Sequence, residues 1–297
     1  MKSLRERLID PRSPDHRPRR AAYALPTLFT AGNIFLGFVA ILQAFQGAMQ
    51  VIQTGSYGFN PHFEAAAKMI GVAVFLDGLD GRIARMTNTV SDFGREMDSL
   101  ADVITFGIAP AVLGYAWGIQ FIESPVEGFP VENLLLAGYF ICFLFLLCGA
   151  ARLARFNITT NPIPKNPGRP DRKYFVGLPI PAGAGLVAAV VYAARSAPLR
   201  WWPLAVLWLG LIGLLAFLMV STWRYPSFKN VNLGRPRSPL TIILPGALIF
   251  LIWMASQPVL LAMGVAYVGS GIALRAGGIV RRRLRAQRPP EPEHQAG

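Results

Sequence analysis

Apolar runs about as long as a bilayer is thick recur along almost the whole of this 297-residue chain, and no other feature narrows its fold as much. A helix rises about 1.5 Å per residue, so roughly 20 apolar residues cross a ~30 Å hydrocarbon core. Eight segments fit: Leu25–Phe45, Phe63–Arg85, Ser99–Ile119, Leu134–Phe156, Val176–Ala194, Trp202–Ser221, the short Leu240–Ala255, and Val259–Gly277. With 53% hydrophobic residues, 15% charged and a mean hydropathy of +0.41, an ordinary soluble domain is excluded. The pattern predicts an all-α fold, a polytopic membrane bundle of about eight transmembrane helices with both termini cytoplasmic. The first run follows an arginine-rich polar stretch and leads straight into further spans, so it reads as a retained span and not a cleaved signal.

The formal charge of +13 invites a nucleic-acid reading, but its distribution opposes one. All of the 29 lysines and arginines except Lys68, Arg195 and Arg200 fall in the N-terminal tail, the even-numbered connections between spans and the C-terminal region. That is the positive-inside pattern. Basic segments beside a bilayer attract anionic lipid headgroups at about 1 kcal/mol per charge, so anionic membrane lipids are expected partners and nucleic acid is not. Cys142 and Cys148 stand six apart in one apolar span, unsuited to a disulfide on a helix. His16, His62 and His294 show no metal-ligand spacing.

Acidic residues in a membrane segment cost ~2.5–3.5 kcal/mol each at the helix centre, which makes their placement informative. Asp77, Asp80, Asp98 and Asp102 lie within or against apolar segments on either side of a connection expected at Met86–Met97. Asp77, Asp80, Gly81 and Ala84 are spaced i, i+3, i+4 and i+7, and Gly94, Asp98 and Asp102 i, i+4 and i+8, so each helix presents two carboxylates beside small residues on one face. Small residues let membrane helices approach closely. Four like charges converging at a membrane edge need protonation, basic partners or a divalent cation. A salt-bridged helix end is the plain alternative, with Arg82 and Arg85 at hand; an oxygen-only donor set suits Mg²⁺ or Mn²⁺, with phosphate oxygens completing the shell.

Asp77-Gly-Leu-Asp80-Gly81-Arg-Ile-Ala84-Arg85, eight further residues, then Gly94-Arg-Glu-Met-Asp98-Ser-Leu-Ala-Asp102 resembles the signature of the CDP-alcohol phosphatidyltransferases, with every position filled. The resemblance implies a helical membrane fold, two bound Mg²⁺ or Mn²⁺ ions, a CDP-linked lipid donor and a small alcohol acceptor. It makes Asp77, Asp80, Asp98 and Asp102 metal ligands and Asp102 also the general base. Gly81, Ala84, Arg85 and Gly94 would then lie against the CDP-lipid. On this basis residues 1–22 form a basic cytoplasmic N-tail, 23–281 the family-like membrane domain and 282–297 a polar C-tail.

Several other segments resemble the phosphatidylserine synthase branch of that family: Leu25–Phe38, Phe106–Pro110, Arg152–Asn157, Gly177–Ala182 and Ser221–Lys229. Each also has a structural reading, since Gly107 with Pro110, and Pro179 with Pro181, loosen or break a helix that lines a cavity. The branch implies CDP-diacylglycerol as donor and L-serine as acceptor, with transfer at the cytoplasmic face of the cell inner membrane and a homodimer as one open assembly. Thr30 and Asn33, one turn apart, either bond the donor nucleotide or hold a neighbouring helix. Arg152 and Arg155 either serve topology or clasp the acceptor carboxylate, for which an arginine fork is suited. Glycerol 3-phosphate, inositol phosphate or choline remain alternative acceptors, and an ion-coupled transporter remains the rival from another class. Beyond about residue 230 no site signal stands out, and the tail Pro289–Gly297 is expected to be disordered.

Overall fold

The computed structural model describes residues 20–87, 92–123, 131–160, 174–226 and 240–286. The expected tail Pro289–Gly297 and most of the basic N-tail lie outside them. Helices α1 (Arg20–Thr54) and α2 (Pro61–Thr87) form a hairpin. The chain then runs through α3 (Asp92–Asp102), a π-helical stretch (Val103–Ile108) and α4 (Ala109–Gly118). Next come α5 (Val131–Thr160), strand β1 (Tyr174–Val176), α6 (Ile180–Ala193), α7 (Trp202–Val220) and strand β2 (Arg224–Pro226). Helices α8 (Leu240–Met254) and α9 (Ser256–Ala286) complete the described chain.

Five stretches among the described residues are long and apolar enough to cross a membrane: Leu28–Thr54, Phe93–Gly118, Val131–Ile158, Trp202–Val220 and Ser256–Arg275. Their outward faces carry exposed Phe35, Phe140, Leu207 and Val265, side chains that favour lipid over water. The protein is therefore a helical membrane protein. The other three expected spans are helical too, but α6 has 14 residues, α8 has 15, and α2 carries Asp77 and Asp80 in its apolar run.

Small residues set the packing of α1 on α2. Ala40, Ala44 and Ala48 recur every four residues on α1 and meet Ala66, Ala67, Ile70 and Ala73 of α2 in the buried core. A Cβ on Gly47 would stand 2.7 Å from the Phe63 ring, so only glycine admits that contact. Asn60 starts α2: its Oδ1 accepts from the amides of His62 (3.0 Å) and Phe63 (3.2 Å), and its Nδ2 donates to Gly47 O at 3.0 Å.

Two local expectations need correction. The connection placed at Met86–Met97 is shorter, because α2 continues to Thr87 and α3 begins at Asp92, making Asp92, Gly94 and Glu96 helical. The fifth span, expected from Val176, opens as a strand: Gly177 adopts φ +81°, Pro179 takes an extended conformation as N-cap, and helix begins only at Ile180. Tyr174, Phe175 and Val176 pair antiparallel with Pro226, Tyr225 and Arg224, a two-stranded ribbon that the helical reading did not contain.

Candidate metal and substrate site

Asp98 and Asp102 stand one turn apart on α3, and Asp77 faces them from α2. One carboxylate oxygen from each of the three lies within 4.8 Å of the others. Asp77 and Asp98 are half-buried, whereas Asp102 is only 8% exposed. Three carboxylates this close repel unless a positive charge or a proton intervenes. Two ligands on opposite sides of a Mg²⁺ ion, each at ~2.1 Å, stand ~4.2 Å apart. The observed spread is close to that span, and the donors are all hard oxygens, so the cluster fits such an ion. The family signature adds Asp80, which lies in α2 with Gly81, Ala84 and Arg85; their side chains fall outside the described residues. Gly94 sits in the first turns of α3.

The acids keep their place because α3 is tied on two sides. Asn157 Nδ2 on α5 donates to Ser99 Oγ at 2.8 Å, and Ser99 Oγ donates to Arg95 O at 3.0 Å, which pins the turn next to Asp98. Just beyond Asp102 the helix widens into the π-stretch. Pro110 lacks the amide that would close the preceding turn, and the wider winding accommodates that loss. There Thr105 Oγ1 donates to Asn33 O at 2.9 Å, and a Cβ on Gly37 would lie 2.5 Å from that same hydroxyl. Glycine at 37 thus lets α1 lie directly on the π-stretch. Thr30 and Asn33 are 5% and 3% exposed on this face of α1, and Asn33 meets the π-stretch through its backbone carbonyl.

The two arginines expected at the acceptor site separate. Arg152, 7% exposed, feels the charges of Asp102 and Asp77, stacks 5.6 Å from the Phe156 ring and has no hydrogen-bond partner for Nε among the described residues. Arg155 turns elsewhere. Its Nη1 donates to Val220 O at 3.1 Å, and its Nη2 lies 3.4–3.5 Å from the carbonyls of Ser221, Met219 and Val176. It therefore gathers the end of α7 and strand β1. A Cβ on Gly177 would stand 2.4 Å from Met219 O and 3.0 Å from Arg155 Nη2, so the ribbon closes on Arg155 only with glycine there.

Tyr225 falls within the Ser221–Lys229 segment noted in the sequence, whereas Tyr267 had no sequence signal. Tyr225 is fully buried on β2, where desolvation pushes its phenol above the ordinary value, and its ring lies 5.9 Å from Tyr267 of α9. Tyr267 lies in electrostatic range of Arg152. A lone tyrosine in an apolar run looks like packing until the fold places α9 there. Asn157, by contrast, was visible within the Arg152–Asn157 motif.

A membrane-embedded helical bundle that gathers three carboxylates near a buried arginine is of the class of membrane proteins with a site able to hold a divalent cation. Residues 23–223 match the CDP-alcohol phosphatidyltransferase family, and the chain belongs to it. A Helicobacter pylori (strain J99) protein named CDP-diacylglycerol–serine O-phosphatidyltransferase is 40% identical over 215 residues, covering 72% of this chain and 77% of that protein. One of the same name from Bacillus subtilis is 32% identical over 216 residues, covering 71% of this chain and 97% of the relative. An archaetidylserine synthase from Methanothermobacter thermautotrophicus is 34% identical over 168 residues, covering 56% and 57%.

Proposed function

We propose that this chain transfers the phosphatidyl group of CDP-diacylglycerol to L-serine, forming phosphatidylserine and CMP, with its site facing the cytoplasm at the inner membrane. Similarity to the Helicobacter enzyme along most of both chains carries the reading of donor and acceptor. The archaeal relative also carries serine in its name although its lipid is named differently, which favours serine over glycerol 3-phosphate, inositol phosphate or choline. Family membership, with acids gathered in one cluster, disfavours the transporter reading.

Asp77, Asp80, Asp98 and Asp102 would hold Mg²⁺ or Mn²⁺, which would supply charge neutralisation at the donor diphosphate. The chain's own groups do the rest. Arg152, with its charge already buried beside Asp102, holds the serine carboxylate and so places the serine hydroxyl next to the acids. Asp102 takes the hydroxyl proton as the new O–P bond forms and the bond to the CMP oxygen breaks. Gly81, Ala84, Arg85 and Gly94, with Thr30 and Asn33 on α1, hold the donor. No covalent enzyme intermediate is needed for this displacement.

An eight-span arrangement with both termini cytoplasmic gains support from the far-side cations. Lys68 pairs with Glu64 at 2.7 Å, and Arg200 pairs with Glu123, so two of the three cations outside the basic regions carry acidic partners. The division into N-tail 1–22, membrane domain 23–281 and C-tail 282–297, and a homodimeric state, remain part of this proposal.

Purified protein incubated with CDP-diacylglycerol, Mg²⁺ or Mn²⁺ and each candidate alcohol, with CMP release followed, tests it. Serine should be the productive acceptor. Release only with a different alcohol would discard serine and keep the family.

A further inference from the structure

The family match ends at residue 223, yet α9 reaches the site from well beyond it. Three features place it there. A Cβ on Gly271 would stand 2.2 Å from the Tyr225 ring, so α9 lies against the β2 strand as closely as glycine allows. One turn earlier, Tyr267 sets its ring 5.9 Å from that of Tyr225, and its hydroxyl lies 3.4 Å from Pro226 O. On the same side of the helix, Gly264 packs on Leu186 of α6, where a Cβ would have 3.0 Å of clearance. Tyr267 is thus held by the ribbon and α6, half-buried and within electrostatic range of Arg152 on α5, whose neighbour one turn on, Arg155, reaches the same ribbon at Val176 O.

Arg152 is the second observation. It is 93% buried, its Nε has no hydrogen-bond partner among the described residues, and it lies in electrostatic range of Asp102, Asp77 and Tyr267 alike. A buried guanidinium with donor capacity left over is suited to an anionic group brought by a substrate. The 3.4 Å contact of the Tyr267 hydroxyl with Pro226 O is at the long end of hydrogen bonding and is readily exchanged for a shorter, charge-assisted one.

We propose that Tyr267 is a specificity-determining residue for the acceptor, its hydroxyl donating to the same carboxylate that Arg152 clasps. The inference rests on the serine reading given above. A neutral phenol beside an arginine adds a directed donor without adding charge next to the metal-binding acids. An acceptor lacking a carboxylate leaves the Arg152 guanidinium without its anion and gives Tyr267 no charged acceptor in place of Pro226 O, which is how a site rejects a near-isostere.

The test uses full-length enzyme in detergent or vesicles with CDP-diacylglycerol, comparing L-serine with serinamide, which keeps the amine and hydroxyl but has no carboxylate. Wild type should prefer serine in kcat/KM by at least about tenfold. Tyr267→Phe keeps the ring and its packing; KM for serine should rise about tenfold, KM for CDP-diacylglycerol and kcat should stay within about twofold, and the preference for serine should shrink. An unchanged serine KM in Tyr267→Phe, alongside a raised one in Arg152→Ala, assigns Tyr267 to packing and overturns the proposal while leaving the serine reading intact. Equal wild-type kcat/KM for serine and serinamide overturns it without recourse to any variant. CMP release with other alcohols but none with serine overturns the reading and the inference together.

Discussion

Arg155→Ala tests whether Arg155 serves the fold or the acceptor. Of the four carbonyl contacts made by Arg155, only that to Val220 O at 3.1 Å has ordinary hydrogen-bond length; the others, at 3.4–3.5 Å, are weak. A hydrogen bond from a charged donor contributes ~1.5–3 kcal/mol, and partial exposure of this site favours the lower end. A cation at the last turn of α7 adds ~0.3–1 kcal/mol through the helix dipole. The expected loss is about 2 kcal/mol. It should fall on the ribbon and the end of α7, because Met219, Val220 and Ser221 lose their common donor. Thermal unfolding in detergent should show a midpoint several degrees lower, and limited proteolysis should cut more readily near Gly177 and Ser221. The serine KM of the folded fraction should stay close to wild type, and Arg155→Lys should recover only part of the stability, since an ammonium lacks the guanidinium fork. Undiminished stability together with a serine KM raised tenfold or more would refute this reasoning and return Arg155 to the acceptor site.

Asp102→Asn should lower kcat by at least about a hundredfold while equilibrium binding of CDP-diacylglycerol stays measurable; unchanged turnover removes Asp102 from the role of base. Chelation with EDTA should stop CMP release, and added Mg²⁺ or Mn²⁺ should restore it; full activity in excess chelator argues against a metal at Asp77, Asp98 and Asp102. Gly177→Ala places a side chain at φ +81° and 2.4 Å from Met219 O, so a loss of ~1–3 kcal/mol and poor accumulation of folded protein are expected. Wild-type melting behaviour in that variant would show the ribbon to be less tightly closed than described.

The cluster of acids was legible along the chain because its parts are local. Asp77 with Asp80, and Asp98 with Asp102, recur at helical spacing next to small residues, and a charge in an apolar run is costly enough that its position carries meaning. Membrane character was legible for a similar reason: span length is set by the bilayer and reads directly as a run of apolar residues. Gly107 and Pro110 foreshadowed an irregular helix, and the π-stretch lies there.

What the sequence by itself determined is therefore the solvent, the helical class and the row of acids. Only the tertiary structure decided which side chains meet them, because those contacts join residues far apart in number. Arg152 and Arg155, three residues apart in one motif, share nearly the same face of α5, and it is the partners the fold offers that divide them: Asp102 acts on the first, and the carbonyls at the end of α7 take up the second. Tyr267 comes into electrostatic range of Arg152 through the packing of α9 on β2 and α6, and nothing in an apolar segment marks a tyrosine for such a place. Close helix approach was likewise decided in three dimensions: Gly37 on Thr105 and Gly271 on Tyr225 are informative only once the opposing surface is known, since a missing Cβ has consequences only for what lies against it.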